Sequence, residues 1–195
     1  MISGGGTGGH VYPALAVVEA LKSQVANCKF LYVGSKRGVE EGIVRREGLP
    51  FEAISAGGLR GLALWKAALN LVRLIVGFAQ SLGIVRRFSP DAVLVTGGYV
   101  CVPVTLAARL SGTPLLVFLP DLEPGLAVRA LSRLATRVAV SFPESARYFA
   151  KDKVMVTGYP VRADFFAVDK ATARRAFGLD ENLKTVTVFG GSHGA

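Results

Sequence analysis

Short apolar runs alternate along this chain with longer stretches whose apolar residues recur at helical spacing. Residues 29–34 (Lys-Phe-Leu-Tyr-Val-Gly), 51–54, 92–96, 114–119, 137–142, 153–157 and 185–189 predict strands. Residues 14–24, 39–47, 62–88, 103–110, 126–134 and 171–177 predict helices, and 144–149 a helical turn. In the first helix Leu15, Val18, Leu21 and Val25 fall on one face. Met1, Ile2 and Ser3 make a short first strand; strands usually run to about five residues, so further residues are expected upstream. The run Pro114-Leu-Leu-Val-Phe-Leu119 carries no polar residue, the pattern of a parallel strand covered on both faces.

The most distinctive punctuation is glycine. Five of the seven residues from Ser3 to Gly9 are glycine, followed by His10 and by Pro13 near the start of the first helix. Such a turn lets backbone approach a ligand and allows positive φ. The free N–H groups and positive dipole end of the helix favour an anion, most naturally phosphate. Thr96-Gly97-Gly98-Tyr99 and Gly190-Gly191-Ser192-His193-Gly194 repeat the device after later strands. Strands alternating with helices predict an α/β fold with a doubly wound, Rossmann-like parallel sheet, its glycine turns at the carboxyl ends of strands. The expected organisation is a domain over 1–160, a linker over 161–184, and over 185–195 the first strand and glycine turn of a second α/β domain.

Composition narrows the partners. The chain of 195 residues is 51% hydrophobic and 19% charged, with a net charge of +9. An excess of positive charge on a mostly neutral chain favours an anionic partner: a phosphorylated ligand, an acidic lipid surface or nucleic acid. Nucleic acid is disfavoured, since zinc spacing, RNA-binding aromatic motifs and long Lys/Arg runs are all missing from the sequence. Cys28 and Cys101 form no CxxC pair and read as core filler in a reducing compartment. The N-terminus does not have the basic-then-apolar pattern of a signal peptide.

Residues 62–88 carry more apolar surface than one sheet face can cover. Lys66, Asn70, Arg73, Gly77 and Gln80 form one narrow polar stripe, with Leu, Ile, Val, Phe, Ala and Trp65 around it. The uncharged run 74–85 is shorter than the roughly 20 residues a bilayer span needs. A peripheral membrane contact is expected here through Trp65, Leu74, Ile75 and Phe78, with Arg73, Arg86 and Arg87 beside an anionic surface.

Taken alone, Gly4-x-Gly6-x-x-Gly9 also satisfies the dinucleotide fingerprint. An acidic residue that would read the NAD ribose is missing after the second strand, although Arg37 could accept the 2′-phosphate of NADP. An NADP-dependent oxidoreductase therefore remains an alternative. A P-loop is excluded, because no Lys-Ser/Thr follows Gly9.

In combination the motifs are more specific. Gly5-Gly6-Thr7-Gly8-Gly9-His10-Val11-Tyr12-Pro13, Thr96-Gly97-Gly98-Tyr99-Val100, Thr157-Gly158-Tyr159-Pro160-Val161-Arg162 and Gly190-Gly191-Ser192-His193-Gly194-Ala195 resemble, in order, the MurG family of glycosyltransferases. Members transfer N-acetylglucosamine from UDP-N-acetylglucosamine to the undecaprenyl-pyrophosphoryl-muramyl-pentapeptide precursor of peptidoglycan. They have two Rossmann-like domains (the GT-B fold), the N-terminal one for the acceptor and the C-terminal one for most of the donor. The resemblance implies an inverting transferase at the cytoplasmic face of the cell membrane, of which this chain is the acceptor-binding part. Gly5, Gly6, Gly97, Gly98 and Tyr99 would face the acceptor. Thr7, Gly8, Gly9, Arg162 and Ser192 would lie near the donor and its diphosphate. His10 would be a general base or an acceptor contact. With no Asp-x-Asp pair to hold a divalent metal, helix dipoles and backbone amides would stabilise the departing diphosphate, and no cofactor is implied.

The chain departs from that family at one place. The family's His-Glu-Gln-Asn is replaced by Phe118-Leu119-Pro120-Asp121, and Tyr159 stands for an Asn. Asp121 thus takes the place of an amide near the donor. Two further alternatives follow: a related GT-B enzyme with another lipid or glycolipid acceptor, and a non-catalytic subunit that recruits the acceptor.

Overall fold

The computed structural model describes residues 1–36, 38–58, 63–180, 182–188 and 190. Two compact units divide the chain, Met1–Pro160 and Val161–Ala195. Arg37, residues 59–62, Glu181, Phe189 and residues 191–195 lie outside the description, and with them the candidate Ser192, Arg60 and most of the third glycine turn.

The first unit is built on seven parallel strands: β1 (Ile2–Ser3), β2 (Tyr32–Ser35), β3 (Phe51–Ile54), β4 (Val93–Val95), β5 (Leu115–Leu119), β6 (Arg137–Val140) and β7 (Val154–Val156), in the order β3-β2-β1-β4-β5-β6-β7. This is the doubly wound order, and its direction reverses at β1. Register is fixed there by Ile2 and Ser3, which lie beside Tyr32 and Val33 on one flank and Leu94 and Val95 on the other. Side chains alternate between the faces. Tyr32 joins a core with Ile2, Val11, Ala14, Leu15, Val18 and Val44, under α1 (Gly8–Gln24) and α2 (Val39–Arg46). Val33 joins the larger core with Val95, Val117 and Val138, under α3 (Leu64–Phe88), α4 (Cys101–Leu110) and α5 (Leu126–Leu131). A 3-10 turn, Pro143–Tyr148, precedes β7.

Three expectations need correction. Helix α1 begins at Gly8, so Pro13 lies inside it and not at its first turn. Pro13 has no N–H to give the Gly9 carbonyl four residues back, which leaves this end of the helix less tightly bonded. Leu15 and Val18 are buried, but Leu21 and Val25 are 37% and 47% exposed, because the last turn of α1 runs beyond the core. Cys101 fills core as expected, whereas Cys28 is exposed in the loop that follows α1.

Helix α3 adds partners that its own sequence does not show. Part of its polar stripe faces the protein while Lys66 and Arg73 stay exposed: Asn70 Nδ2 donates to the Gly58 carbonyl at 2.6 Å, and Gln80 Oε1 accepts from Ser55 N–H at 2.7 Å. Gly77 is buried between them, where a Cβ would overlap the Ser55 carbonyl. The loop leaving β3 supplies unpaired backbone groups, and the stripe satisfies them. The side turned outward is therefore the apolar one: Trp65, Leu71, Val72 and Ile75 are each more than half exposed. Ile84 and Val85 at the far end are buried in the core.

The second unit holds two short helices, α6 (Asp164–Ala167) and α7 (Lys170–Ala176), the latter capped by Asp169, whose side chain accepts from Thr172 N–H at 3.0 Å. Residues 185–188 form no strand, contrary to the pattern. A strand is stabilised by a neighbour, and Val186 and Val188 are 87% and 90% exposed with none beside them among the described residues.

Candidate functional site at the switch point of the sheet

Strands β1 and β4 are neighbours, so the loops that leave their carboxyl ends meet. Gly5 N–H donates to the Gly97 carbonyl at 3.2 Å, and Thr96 N–H to the Ser3 carbonyl at 3.0 Å. Gly6, Gly97 and Gly98 take positive φ values of 87°, 123° and 88°. A Cβ on Gly98 would overlap the Gly5 carbonyl, and one on Gly97 would lie 2.7 Å from the His10 ring. Much of the glycine content thus serves the approach of the two turns to each other. Gly9 is different: it is exposed, its φ is not positive, and a Cβ there would meet only Thr7 Oγ1, at 3.6 Å.

His10 lies in the first turn of α1. Its carbonyl accepts from Thr96 Oγ1, and its ring packs on Gly97. The buried Nδ1 has no hydrogen-bond partner among the described residues. Unpartnered buried polar groups are uncommon and mark strain, an unplaced water or a functional role. Thr7, at the helix N-cap, makes no capping bond with its side chain. Near the turn lies Tyr99, whose ring is 3.9 Å from the Cβ position of Gly6 and 3.6 Å from that of Gly58. The structure therefore brings together Gly5, Gly6, Thr7, Gly8, Gly9, His10, Gly97, Gly98 and Tyr99 around one crevice, where doubly wound sheets take their ligands.

Under this crevice the packing is polar and closed. Tyr32 Oη donates to the Gly4 carbonyl at 2.8 Å, and burial holds its proton well above the ordinary phenol range. Cys101 Sγ donates to the Gly97 carbonyl at 2.9 Å, and burial pushes this thiol up to about 11. Glu40, which the sequence reading passed over, is fully buried below Gly5 and Gly6. One signal was available. Glu40 precedes the buried Val44 by one helical turn, while Glu41 forms an exposed i,i+4 pair with Arg45.

The departures from the family pattern also converge. The Tyr159 ring meets the Phe118 ring edge-on, with centroids 6.2 Å apart. Burial and then the nearby charge of Asp121 raise the Tyr159 phenol above its usual value. Arg162 belongs to the second unit, where its guanidinium lies 3.3 Å from the Asp164 carboxylate. Of the basic residues expected beside the apolar helix, Arg86 is exposed, Arg73 donates to Asn70 at 3.0 Å, and Arg87 is held by Glu52. Leu74 and Phe78 are half-buried.

A seven-stranded parallel sheet with two glycine turns joined at its switch point defines a Rossmann-like ligand-binding unit. The glycosyltransferase family 28 N-terminal domain matches residues 1–140, and the chain belongs to that family. An N-acetylglucosamine transferase of Desulforudis audaxviator, named for its N-acetylmuramyl-(pentapeptide) pyrophosphoryl-undecaprenol acceptor, is 47% identical over 197 residues, covering 100% of this chain and 52% of the relative. The transferase of the same name from Desulforamulus reducens is 42% identical over 196 residues, covering 100% and 53%. The crystal structure of Acinetobacter baumannii MurG superposes with a TM-score of 0.70 at 30% identity, over 85% of this chain and 47% of that one. The chain spans about half the length of the curated relatives it matches.

Proposed function

We propose that the chain is the acceptor-side half of an inverting glycosyltransferase, which moves N-acetylglucosamine from UDP-N-acetylglucosamine to an undecaprenyl-pyrophosphoryl-muramyl-pentapeptide. The observation that carries this reading is the junction of the two glycine turns at the switch point with His10 between them, in a member of family 28. Inverting transfer needs a group to take the proton of the attacking hydroxyl and donors for the departing diphosphate. His10 supplies the first, as base or as hydroxyl contact; it is the one side chain of the turn with a buried ring nitrogen left unbonded by the fold. The N–H groups of Gly8 and Gly9 at the start of α1 supply the second, with Thr7 beside them. Arg162 and Ser192 are assigned to the nucleotide-sugar through their motifs.

The outward apolar side of α3 fits an enzyme whose acceptor keeps its polyprenyl tail in a bilayer. This side, with Arg73 and Arg86, would rest on the anionic cytoplasmic face of the membrane.

A chimera tests the reading. Joining this chain to the donor half of the Desulforudis relative should restore transfer of labelled N-acetylglucosamine to a lipid-linked muramyl-pentapeptide. A folded chimera that binds UDP-N-acetylglucosamine but leaves this acceptor untouched would overturn the acceptor assignment.

A further inference from the structure

Glu40 is the second residue of α2 and is 0% exposed. Its Oε1 accepts from Ser35 N–H at 2.8 Å and from Ser35 Oγ at 2.5 Å, and its Oε2 faces Gly6 N–H at 3.4 Å. Three glycines make the space: Gly5 in the first turn, Gly34 in β2 and Gly38 at the N-cap of α2. A Cβ on Gly5 would lie 2.6 Å from Oε1, one on Gly34 2.7 Å from the Glu40 Cγ, and one on Gly38 would overlap the carboxylate. No cationic side chain pairs with it among the described residues. A buried charge compensated only by N–H and O–H donors is expensive to keep, and here it sits directly beneath the turn that faces the ligand.

We propose that Glu40 is a positioning residue that divides the glycine turn into two parts: it holds Gly5 and Gly6 from below for neutral groups of the ligand, and it confines phosphate to the Gly8–Gly9 end of α1. The proposal rests on the reading that this turn lines a cleft for a sugar-diphosphate ligand. Two physical arguments support the division. Gly6 N–H already points at Glu40 Oε2, so a phosphate oxygen could take that donor only by displacing the carboxylate. A like charge a few ångströms below a partly buried site also repels phosphate strongly enough to lower its affinity by about tenfold or more. Sugar hydroxyls and acetamido groups carry no such penalty, and they can accept from or donate to the turn. At the start of α1 the opposite holds, because free N–H groups and the helix dipole favour an anion.

Titration of the ¹⁵N-labelled chain with inorganic pyrophosphate, followed through backbone amide shifts, tests this residue by residue. In the native chain the response should centre on Gly8, Gly9 and His10, with Gly6 little moved. In Glu40→Gln the charge is gone and an amide N–H₂ can face Gly6, so Gly6 should join the response and pyrophosphate should bind about tenfold more tightly. A native response centred on Gly6 would overturn the proposal, and this measurement stands even if the variant fails to fold. Equal affinity and equal Gly6 response in native chain and variant would also overturn it, as would no response in either. If Gly6 responds only in Glu40→Gln and the native chain shows nothing at Gly8–His10, Glu40 keeps its role and the anion reading of α1 fails.

Discussion

Asn70 and Gly58 are joined by a 2.6 Å hydrogen bond that holds this part of the polar stripe of α3 inward. The consequence is an outward helix surface made largely of Leu, Val and Ile, with Trp65 67% and Ile75 61% exposed. Partial burial of three or four such side chains in a bilayer interface would contribute about 3–6 kcal/mol. Each basic residue near an acidic surface adds about 1 kcal/mol. The chain should therefore co-sediment with anionic vesicles, release with salt, and bind less well as Trp65→Ser or Ile75→Ser. Arg86→Ala should weaken binding, whereas Arg87→Ala should matter less, since Glu52 already holds that guanidinium. Absence of binding at low salt would remove the membrane role of α3.

Gly98 has φ 88° and lies against the Gly5 carbonyl, so any side chain there meets both backbone strain and a backbone atom that has little room to move. Gly98→Ala should cost about 2–4 kcal/mol of stability. Gly125 precedes α5 with φ −62° and open space around its Cβ position. Gly125→Ala should stay within about 0.5 kcal/mol of the native chain. Urea unfolding of the two variants gives the comparison.

Gly9→Val should behave in the opposite way. The position is open and its φ is ordinary, so folding tolerates a side chain, while the same side chain would occupy the space of a phosphate at the helix start. Pyrophosphate affinity should fall at least tenfold with a melting temperature within a few degrees of native. A large drop in melting temperature with affinity retained would make Gly9 a structural residue.

Alkaline pH should loosen the first unit. The Cys101 thiol is pushed by burial from 9.0 to about 11, so the folded state holds this proton more tightly than the unfolded chain. Its contribution of about 2–3 kcal/mol is complete below pH 9 and is lost as pH rises to about 11. Tyr32, raised well above 10.0 by burial, continues the decline at higher pH. Stability measured between pH 8 and about 11 should fall in the native chain and less steeply in Cys101→Ala; parallel curves would exclude the thiol as the cause.

The alternation of strands and helices was legible because each element carries a clear period, and β3 and the buried run of β5 were found almost to the residue. What escaped depends on partners distant in sequence. The stripe of α3 was seen without its partners, since nothing in residues 62–88 says that the loop after β3 needs hydrogen bonds. Glu40 was passed over beside Glu41, because its pocket is made by Gly5, Gly34 and Gly38 together. Residues 185–188 have the composition of a strand, but composition does not supply a neighbour to pair with. At the site, the sequence shows the glycines but not their neighbours: Gly97 and Gly98 make way for His10 and for the other turn.

The sheet also has an unequal seam. Its left and right halves meet at β1, where Ile2 and Ser3 pair with β2 on one side and with β4 on the other. Strands β2 and β3 can assemble beside β1 while the chain is being synthesised, but β4 follows some ninety residues behind it. Until Leu94 and Val95 emerge, one edge of β1 stays open, and β4 to β7 then add in order along that edge, each after a short crossover. The two halves of the sheet can thus assemble outward from β1, in the order in which synthesis delivers them.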